Sequence, residues 1–366
     1  MVEAAAPARS VRSAHLPRQP LVRHLLCAVA AGVVLYFLTT RLSPYNDYQV
    51  GEIASYVVAL AGLSLLTGVN GQYSLGHGAF MAVGAYTLGL FMTHTGTNFI
   101  VELAAATGVA AAAGVVLGLP ATRLKGPYLA GMTLLFALAV PSIADKWPAT
   151  FGGDQGLTVN PPTAPGSLGA EEWLAWIQIL GALIVLVLLA NLLWSRYGRA
   201  FRAVRDDEIA ASLAGIHVAR TKVTAFAISA GCAGLGGALL ALSTGVVNTG
   251  EFPLTLSIRL LAAMVLGGTG TLIGMVWGGI LLVYLPQWST SLSSDFNLGS
   301  GANAYLATII FGLVLIVAML VAPSGIQGGL RRLWGHRPHL GRGGRSAPAP
   351  IPVSAGSAGS AGSAGD

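Results

Sequence analysis

Four polar residues interrupt an apolar stretch near the start of the chain. Asn70, Gln72, Ser74 and His77 lie between Gly68 and Phe80, in a glycine-rich segment that contains no charged residue. Amide, hydroxyl and imidazole groups bind small polar solutes through hydrogen bonds. At membrane depth such a segment is tolerated only where it is buried in protein or lines water. It predicts either a solute path at a helix junction or a tight cytoplasmic turn that only orients two helices.

A second candidate segment, from Tyr197 to Gly215, is strongly charged. Its apolar residues recur at helical spacing, so we expect a short helix with one apolar and one charged face, suited to a groove in a partner protein. The alternative is a helix lying on the lipid surface. Gly215 is typical of a helix end. The candidate partner-docking residues are Arg199, Arg202, Arg205, Asp206, Asp207, Glu208 and Gly215, and the apolar face is formed by Phe201, Val204, Ile209, Leu213 and Ile216.

A third segment repeats the glycine-rich pattern in the second half of the chain. The long apolar stretch from Ser257 to Leu285 is punctuated by several glycines, so one straight helix is improbable there. We expect two shorter segments, and the predicted break is formed by Gly267, Gly268 and Gly270.

Motifs for chemistry of the chain's own are missing from the sequence. There is no Gly-x-x-x-x-Gly-Lys-Ser/Thr loop for ATP phosphates, no His-Glu-x-x-His and no Cys-x-x-Cys, and the two cysteines, Cys27 and Cys232, both lie in apolar stretches. The sequence therefore predicts a protein that is not an enzyme, with no catalytic residue, no metal site and no cofactor.

Composition excludes most soluble classes. Hydrophobic residues make up 54% of the 366 positions and charged residues only 9%, and the mean hydropathy is +0.69. The net charge of +6 comes from basic residues that cluster at predicted helix ends, a pattern of membrane topology and not of nucleic-acid binding. We expect an all-α, polytopic transmembrane bundle in contact with lipid.

Apolar stretches long enough to cross roughly 30 Å of hydrocarbon give the organisation of the chain. Basic clusters belong on the cytoplasmic side of the membrane, so the chain must cross the membrane an even number of times between two such clusters. Counting on this basis gives about ten membrane segments, including short or broken helices, and places both termini in the cytoplasm. Predicted spans are 22–40, 50–68, 78–93, 99–118, 126–144, 173–194, 221–243, two halves of 257–285, and 303–322. The predicted divisions are a basic N-terminal segment, 1–21, a transmembrane domain, 22–323, with its cytoplasmic loop at about 195–220, and a flexible cytoplasmic tail, 324–366.

Three motifs together resemble one transporter family. The segment from Gly71 to Tyr86, GQYSLGHGAFMAVGAY, is similar to the signature of permeases of binding-protein-dependent ABC importers for branched-chain amino acids. Residues 198–211, GRAFRAVRDDEIAA, resemble the cytoplasmic loop of the family, and residues 264–274, MVLGGTGTLIG, resemble its third block. The long loop after Val140 looks more like the M-type permease than its H-type partner.

The resemblance implies a set of partners and a cargo. An H-type second permease, two cytoplasmic ATPases that use the ATP, and an external solute-binding protein would assemble with the chain in a bacterial inner membrane and import leucine, isoleucine or valine. A similar branch of the family imports urea or short amides, so that substrate stays open. An ion-coupled secondary transporter is the alternative class, since it shares the composition and broken helices. In the coupling loops of many ABC importers Glu stands where this chain has Ile209, so individual contacts do not carry over.

Overall fold

The computed structural model describes residues 20–39, 43–124, 126–166, 168–294, 309, 312–313, 316–317 and 325–329. Most of the predicted N-terminal basic segment, the predicted span 303–322 and the predicted tail lie outside these residues. Within them the helices are α1 (Pro20–Thr39), α2 (Pro44–Leu63), α3 (His77–His94), α4 (Phe99–Ala121), α5 (Pro127–Lys146), α6 (Pro148–Phe151), α7 (Ala170–Trp194), α8 (Arg196–Asp206), α9 (Glu208–Leu213), α10 (Val218–Thr244), α11 (Leu254–Gly267) and α12 (Leu272–Ser294).

Shorter elements complete the described part. A π-helix, Ser64–Val69, continues α2, and 3-10 turns span Gly153–Gln155 and Thr249–Glu251. Strands β1 (Leu157–Thr158) and β2 (Val246–Val247) pair antiparallel, with Leu157 opposite Val247. The prediction of an all-α polytopic bundle is therefore confirmed, because the only strand pairing in the described residues is this two-residue ladder.

Seven helices of the described part are long and apolar enough to cross a membrane: α2 with its π-helical extension, α4, α5, α7, α10, α11 with the preceding turn, and α12 up to Leu292. The apolar part of α1, His24–Phe37, is shorter, and α3 is not among the seven. Every predicted span within the described residues corresponds to a helix. The predicted count of about ten membrane segments thus agrees only approximately with the seven long apolar helices and the shorter ones of the described residues.

α2 and α10 form the centre of the bundle. In each of them 78% of the apolar window is buried, against 22% in α4 and in α5, which lie outside. Small residues make the central contacts possible, because they let helix backbones approach closely. At Gly236 of α10, a Cβ atom would lie 2.7 Å from the Ser55 carbonyl oxygen and 3.1 Å from the Ala59 Cβ of α2.

The helix ends sort onto two sides of the bundle. α8, α9 and the basic start of α10 lie on one side, together with the ends of α2 and α11, which contact each other where Gly68 meets Gly270. We call this the basic side. The β1–β2 ladder and the acidic starts of α2 and α7, with Asp47, Glu171 and Glu172, lie on the opposite side.

The close packing of α10 on α2 is testable by adding one methyl group. We expect Gly236→Ala to lower the free energy of unfolding by about 1–3 kcal/mol, the usual cost of overpacking a tight core. Gly108→Ala on α4 is the matched control, because its Cβ would have no heavy atom within 4 Å apart from the nearby backbone of its own helix. Thermal unfolding of the two purified variants in detergent measures the difference. Equal unfolding temperatures would contradict the close helix contact.

Candidate functional site

α2 ends in a π-helix that leads into an irregular segment. In the π-helix the backbone N–H of Asn70 donates to the Leu65 carbonyl over 3.0 Å, and the N–H of Gln72 donates to the Leu66 carbonyl over 3.0 Å. Gly71 has a φ of 76°, which glycine adopts without steric cost and which ends the helix. Residues 70–76, which we call the polar joint, connect this point to α3.

Side chains of other helices satisfy the backbone of the polar joint and of the first turn of α3. The N–H of Leu75 donates to the Thr133 hydroxyl of α5 over 2.9 Å, and the N–H of Gly78 donates to the Ser257 hydroxyl of α11 over 2.9 Å. A Cβ at Gly76 would lie 2.7 Å from the Thr133 carbonyl oxygen, so the backbone approaches α5 closely. An irregular segment is thus accommodated between helices by hydrogen bonds that water would otherwise supply.

The polar joint runs from the basic side into the bundle. Gly68, two residues before the polar joint, lies beside Gly270, just after the end of α11, whereas Gly78, two residues after the joint, donates its N–H to the Ser257 hydroxyl in the first turn of α11. Because an α-helix rises 1.5 Å per residue, the part of α11 between Ser257 and Gly267 spans about 15 Å. α3 therefore begins inside the bundle, and the positive end of its helix dipole lies there.

The polar side chains predicted for a solute path are buried together with the polar joint. Asn70, Gln72, Ser74 and His77 are each at most 4% exposed. Asn70 Nδ2 donates to Gln72 Oε1 over 2.8 Å. Within the described residues, Asn70 Oδ1, Gln72 Nε2 and both ring nitrogens of His77 have no hydrogen-bond partner. Buried polar atoms without partners are costly and uncommon, so this segment is built differently from a solvated turn.

The charged segment is two helices, so the prediction of one continuous amphipathic helix is wrong. α8 ends at Asp206, and Asp207 is the N-cap of α9, where its Oδ1 accepts from the N–H of Ile209 over 2.8 Å and of Ala210 over 3.1 Å. An aspartate that caps a new helix interrupts the one before it. The predicted apolar face is divided accordingly: Phe201 and Val204 are buried, whereas Ile209 and Leu213 are 73% and 84% exposed.

The helix end predicted at Gly215 is present. Gly215 has a φ of 82°, and the N–H of Ile216 donates to the Ala211 carbonyl over 3.0 Å, the six-to-one bond typical of a glycine-terminated helix. α9 is also held to α10, because Lys222 Nζ lies 2.7 Å from Glu208 Oε1. The Lys222 side chain is only 5% exposed, so the ion pair keeps a buried ammonium partnered.

Three arginines of α8 bind backbone carbonyls of this chain. Arg202 Nη2 donates to the Leu193 carbonyl over 3.0 Å, and Arg199 Nη1 to the Trp194 carbonyl over 3.5 Å. Arg205 Nη1 donates to the Gly68 carbonyl over 2.9 Å. The last carbonyls of a helix have no partner within it and carry the negative end of its dipole. These guanidinium groups therefore attach α8 to the ends of α7 and α2.

The predicted glycine break meets the same place. α11 ends at Gly267 and α12 begins at Leu272. Gly268 and Gly270 have φ angles of 121° and 74°. The N–H of Gly270 donates to the Ser64 hydroxyl of the π-helix over 3.1 Å. The structure thus brings the three sequence motifs together at the end of α2.

Three positioning residues of this site were missed by sequence reasoning. Ser64, Thr133 and Ser257 give the hydrogen bonds that hold the glycine break, the polar joint and α3. In an apolar helix, Ser and Thr usually bond a carbonyl one turn back in their own helix, so their types and spacing carry no signal.

As for metals, the described residues contain no group of three or more His, Cys, Asp or Glu placed to hold an ion.

Comparison with known proteins then gives the family. The family model described as "Branched-chain amino acid transport system / permease component" matches residues 47–319. The chain belongs to this family. It is therefore a multi-pass membrane permease component, and the match includes all three motifs and the helices that carry them. The resemblance found in the sequence is confirmed.

Individual relatives agree with this assignment. The permease is 35% identical over 296 residues to the high-affinity branched-chain amino acid transport system permease protein LivM of Escherichia coli (strain K12). This alignment covers 74% of this chain and 67% of LivM. The permease is 26% identical to LivH of Salmonella typhimurium over 80% of this chain and 96% of that one, and 26% identical to BraD of Pseudomonas aeruginosa over 77% and 94%. The higher identity to LivM confirms the M-type resemblance. No solved structure matches.

The bond that starts α3 is testable in the permease by itself. We expect Ser257→Ala to lower the free energy of unfolding by about 1–3 kcal/mol, because the buried N–H of Gly78 loses its acceptor. Ser142→Ala is the matched control, since this exposed hydroxyl only donates to the Leu138 carbonyl of its own helix. Thermal unfolding of the purified variants measures both. A Ser257 variant as stable as the Ser142 variant would show that α3 does not depend on this bond.

Proposed function

We propose that this permease is the membrane-spanning subunit of a binding-protein-dependent ABC importer that moves leucine, isoleucine and valine into the cell. Membership of the family supports this cargo, since the relatives are named as branched-chain amino acid permeases. The sequence carries no ATP-binding loop, so ATP is bound and hydrolysed by partner subunits and the permease has no cofactor of its own. We place it in the bacterial inner membrane with both termini cytoplasmic, so that the basic side faces the cytoplasm.

The solute path in this proposal passes the polar joint. Asn70, Gln72, Ser74 and His77 are polar side chains buried among helices, and four of their polar atoms have no partner in the described structure. Groups of this kind can exchange hydrogen bonds with a passing solute. The start of α3 directs its positive helix end into the bundle, which favours the carboxylate of an amino acid, as broken helices do in transporters. The segment carries no net charge, in keeping with a zwitterionic cargo.

The drive in this proposal enters through α8 and α9. The observation that carries it is the pair of large apolar side chains, Ile209 and Leu213, exposed on a short helix whose neighbour α8 is hydrogen-bonded to the end of α2. Exposed apolar residues on a charged segment are typical of protein docking sites. We assign the segment formed by Arg199, Arg202, Arg205, Asp206, Asp207, Glu208 and Gly215 to coupling with an ATPase.

Four partner subunits complete the importer in this proposal. A second, H-type permease lies beside this one in the lipid bilayer, and two ATPase subunits bind on the basic side. An extracytoplasmic solute-binding protein delivers the cargo on the opposite side, where the β1–β2 ladder lies. Movement of the ATPases shifts the permease between states that differ in their affinity for these partners.

The cargo is tested by uptake in cells. In cells that lack this chain, we expect uptake of labelled leucine to fall to background and to return when the chain is restored, while uptake of labelled urea stays the same. Both uptakes are measured side by side, with and without depletion of ATP. Loss and recovery of urea uptake alone would show a different cargo. Leucine uptake that survives ATP depletion would contradict the ABC mechanism.

The docking role of α9 is tested by replacing its exposed apolar side chains. We expect Leu213→Ser and Ile209→Ser to leave the protein inserted but to lower ATP-dependent leucine uptake about tenfold or more, since an apolar anchor in a docking site contributes at least 1–2 kcal/mol. The matched control is Tyr128→Ser, which removes a side chain 78% exposed near the start of α5. Uptake unchanged in both α9 variants would remove the docking role from this helix.

A further inference from the structure

The guanidinium of Arg205 is occupied within its own chain. Nη1 donates to the Gly68 carbonyl over 2.9 Å, and Nε and Nη2 lie 3.1 Å and 3.0 Å from Asp206 Oδ1. The side chain is 43% exposed. Asp206 accepts from Nε and Nη2 and so fixes the orientation of the guanidinium, whose Nη1 reaches α2. A residue predicted from sequence to contact a partner protein therefore makes polar contacts within its own chain, two with the neighbouring Asp206 and one with the end of a membrane helix.

That end differs in its hydrogen-bond pattern from the rest of α2. Ser64–Val69 is a π-helix, in which each bond spans one residue more than in an α-helix. A change from the π to the α pattern would shift the hydrogen-bond register of the residues that follow by one position. Those residues form the polar joint. Two bonds from other elements hold the π form: Arg205 to the Gly68 carbonyl, and the Ser64 hydroxyl to the N–H of Gly270.

The stem of Arg205 also touches the polar joint. At Gly71 a Cβ atom would lie 2.7 Å from Arg205 Cγ, and the φ of Gly71 is 76°. The close approach of α8 to the polar joint thus requires glycine at this position. Arg205 therefore contacts the chain on both sides of Asn70: it donates a hydrogen bond to the Gly68 carbonyl and its stem packs against Gly71.

We propose that Arg205 is a positioning residue that transmits displacement of α8 to the polar joint by holding the π-helical end of α2. This rests on the proposed function, in which α9 contacts the ATPase and the polar joint lines the solute path. It separates two tasks within one charged segment: Ile209 and Leu213 bind the partner, whereas Arg205 acts inward. When α8 moves, the Gly68 carbonyl follows the guanidinium, and Asn70 and Gln72 move with it.

The test uses the complete importer with its second permease, ATPases and binding protein, reconstituted in lipid vesicles. Leucine uptake and ATP hydrolysis are measured in the same vesicles for the parent and for Arg205→Ala. We expect hydrolysis stimulated by the binding protein to stay within about twofold of the parent, while leucine taken up per ATP falls about fivefold or more, the size of a typical coupling between sites. Arg196→Ala is the control, because it removes an arginine of the same helix that donates to the hydroxyl of the neighbouring Tyr197.

The outcomes separate this inference from the proposed function. A parent complex with no ATP-dependent leucine uptake would overturn the proposed function and this inference with it. A parent that transports, with leucine per ATP unchanged in Arg205→Ala, would overturn the inference alone. A parallel fall of hydrolysis and uptake would also overturn it, because that is the result of lost docking or lost folding. Gly71→Ala is the second variant: its added Cβ displaces the Arg205 stem, and we expect the same fall in leucine per ATP.

Discussion

A backbone polar group inside a bilayer must find its hydrogen bond within the protein, and this constraint governs the structure around the end of α2. A helix satisfies its own backbone, but the break between α2 and α3 exposes carbonyls and N–H groups over residues 68–78. Partners come from α5, α8 and α11, through Thr133, Arg205 and Ser257. Moving any of these elements away from the break would leave a buried backbone group without a hydrogen-bond partner. The break therefore constrains where these elements lie relative to one another.

The same constraint links the membrane part to the charged segment on the basic side. Carbonyls at the ends of α2 and α7 attract cationic donors, and the three arginines of α8 supply them. α8 therefore lies against the bundle with Phe201 and Val204 buried, whereas α9 presents Ile209 and Leu213 outward. In the proposed mechanism, a displacement of α9 is transmitted to α2 through bonds that also stabilise this structure, so coupling and stability depend on the same contacts.

Much of the fold could be predicted because lipid makes hydropathy informative: uninterrupted apolar stretches became helices, and the glycines near 267–270 marked the break. The family resemblance was carried by whole motifs. The charged segment was predicted less well, because the spacing of Phe201, Val204, Ile209 and Leu213 fits one helix, and the cap formed by Asp207 that divides it depends on backbone geometry. Ser64, Thr133 and Ser257 could not be identified, since a hydroxyl in an apolar helix has its own helix as default partner. The assignment of Asn70, Gln72, Ser74 and His77 to a solute path stays a prediction.

In the proposed mechanism, the polar joint changes its surroundings when the partner ATPases bind ATP. The most direct measurement is the labelling of a Ser74→Cys permease by a small water-soluble maleimide in the assembled importer, after Cys27 and Cys232 are replaced by serine or alanine. Ser74 is 1% exposed in this structure, so slow labelling is expected in one nucleotide state. We expect the labelling rate to differ about tenfold or more between the nucleotide-free complex and the complex trapped with a non-hydrolysable ATP analogue, because the two states of the polar joint are then populated differently. Equal, slow labelling in both states would contradict it, because the polar joint would then be a static part of the core.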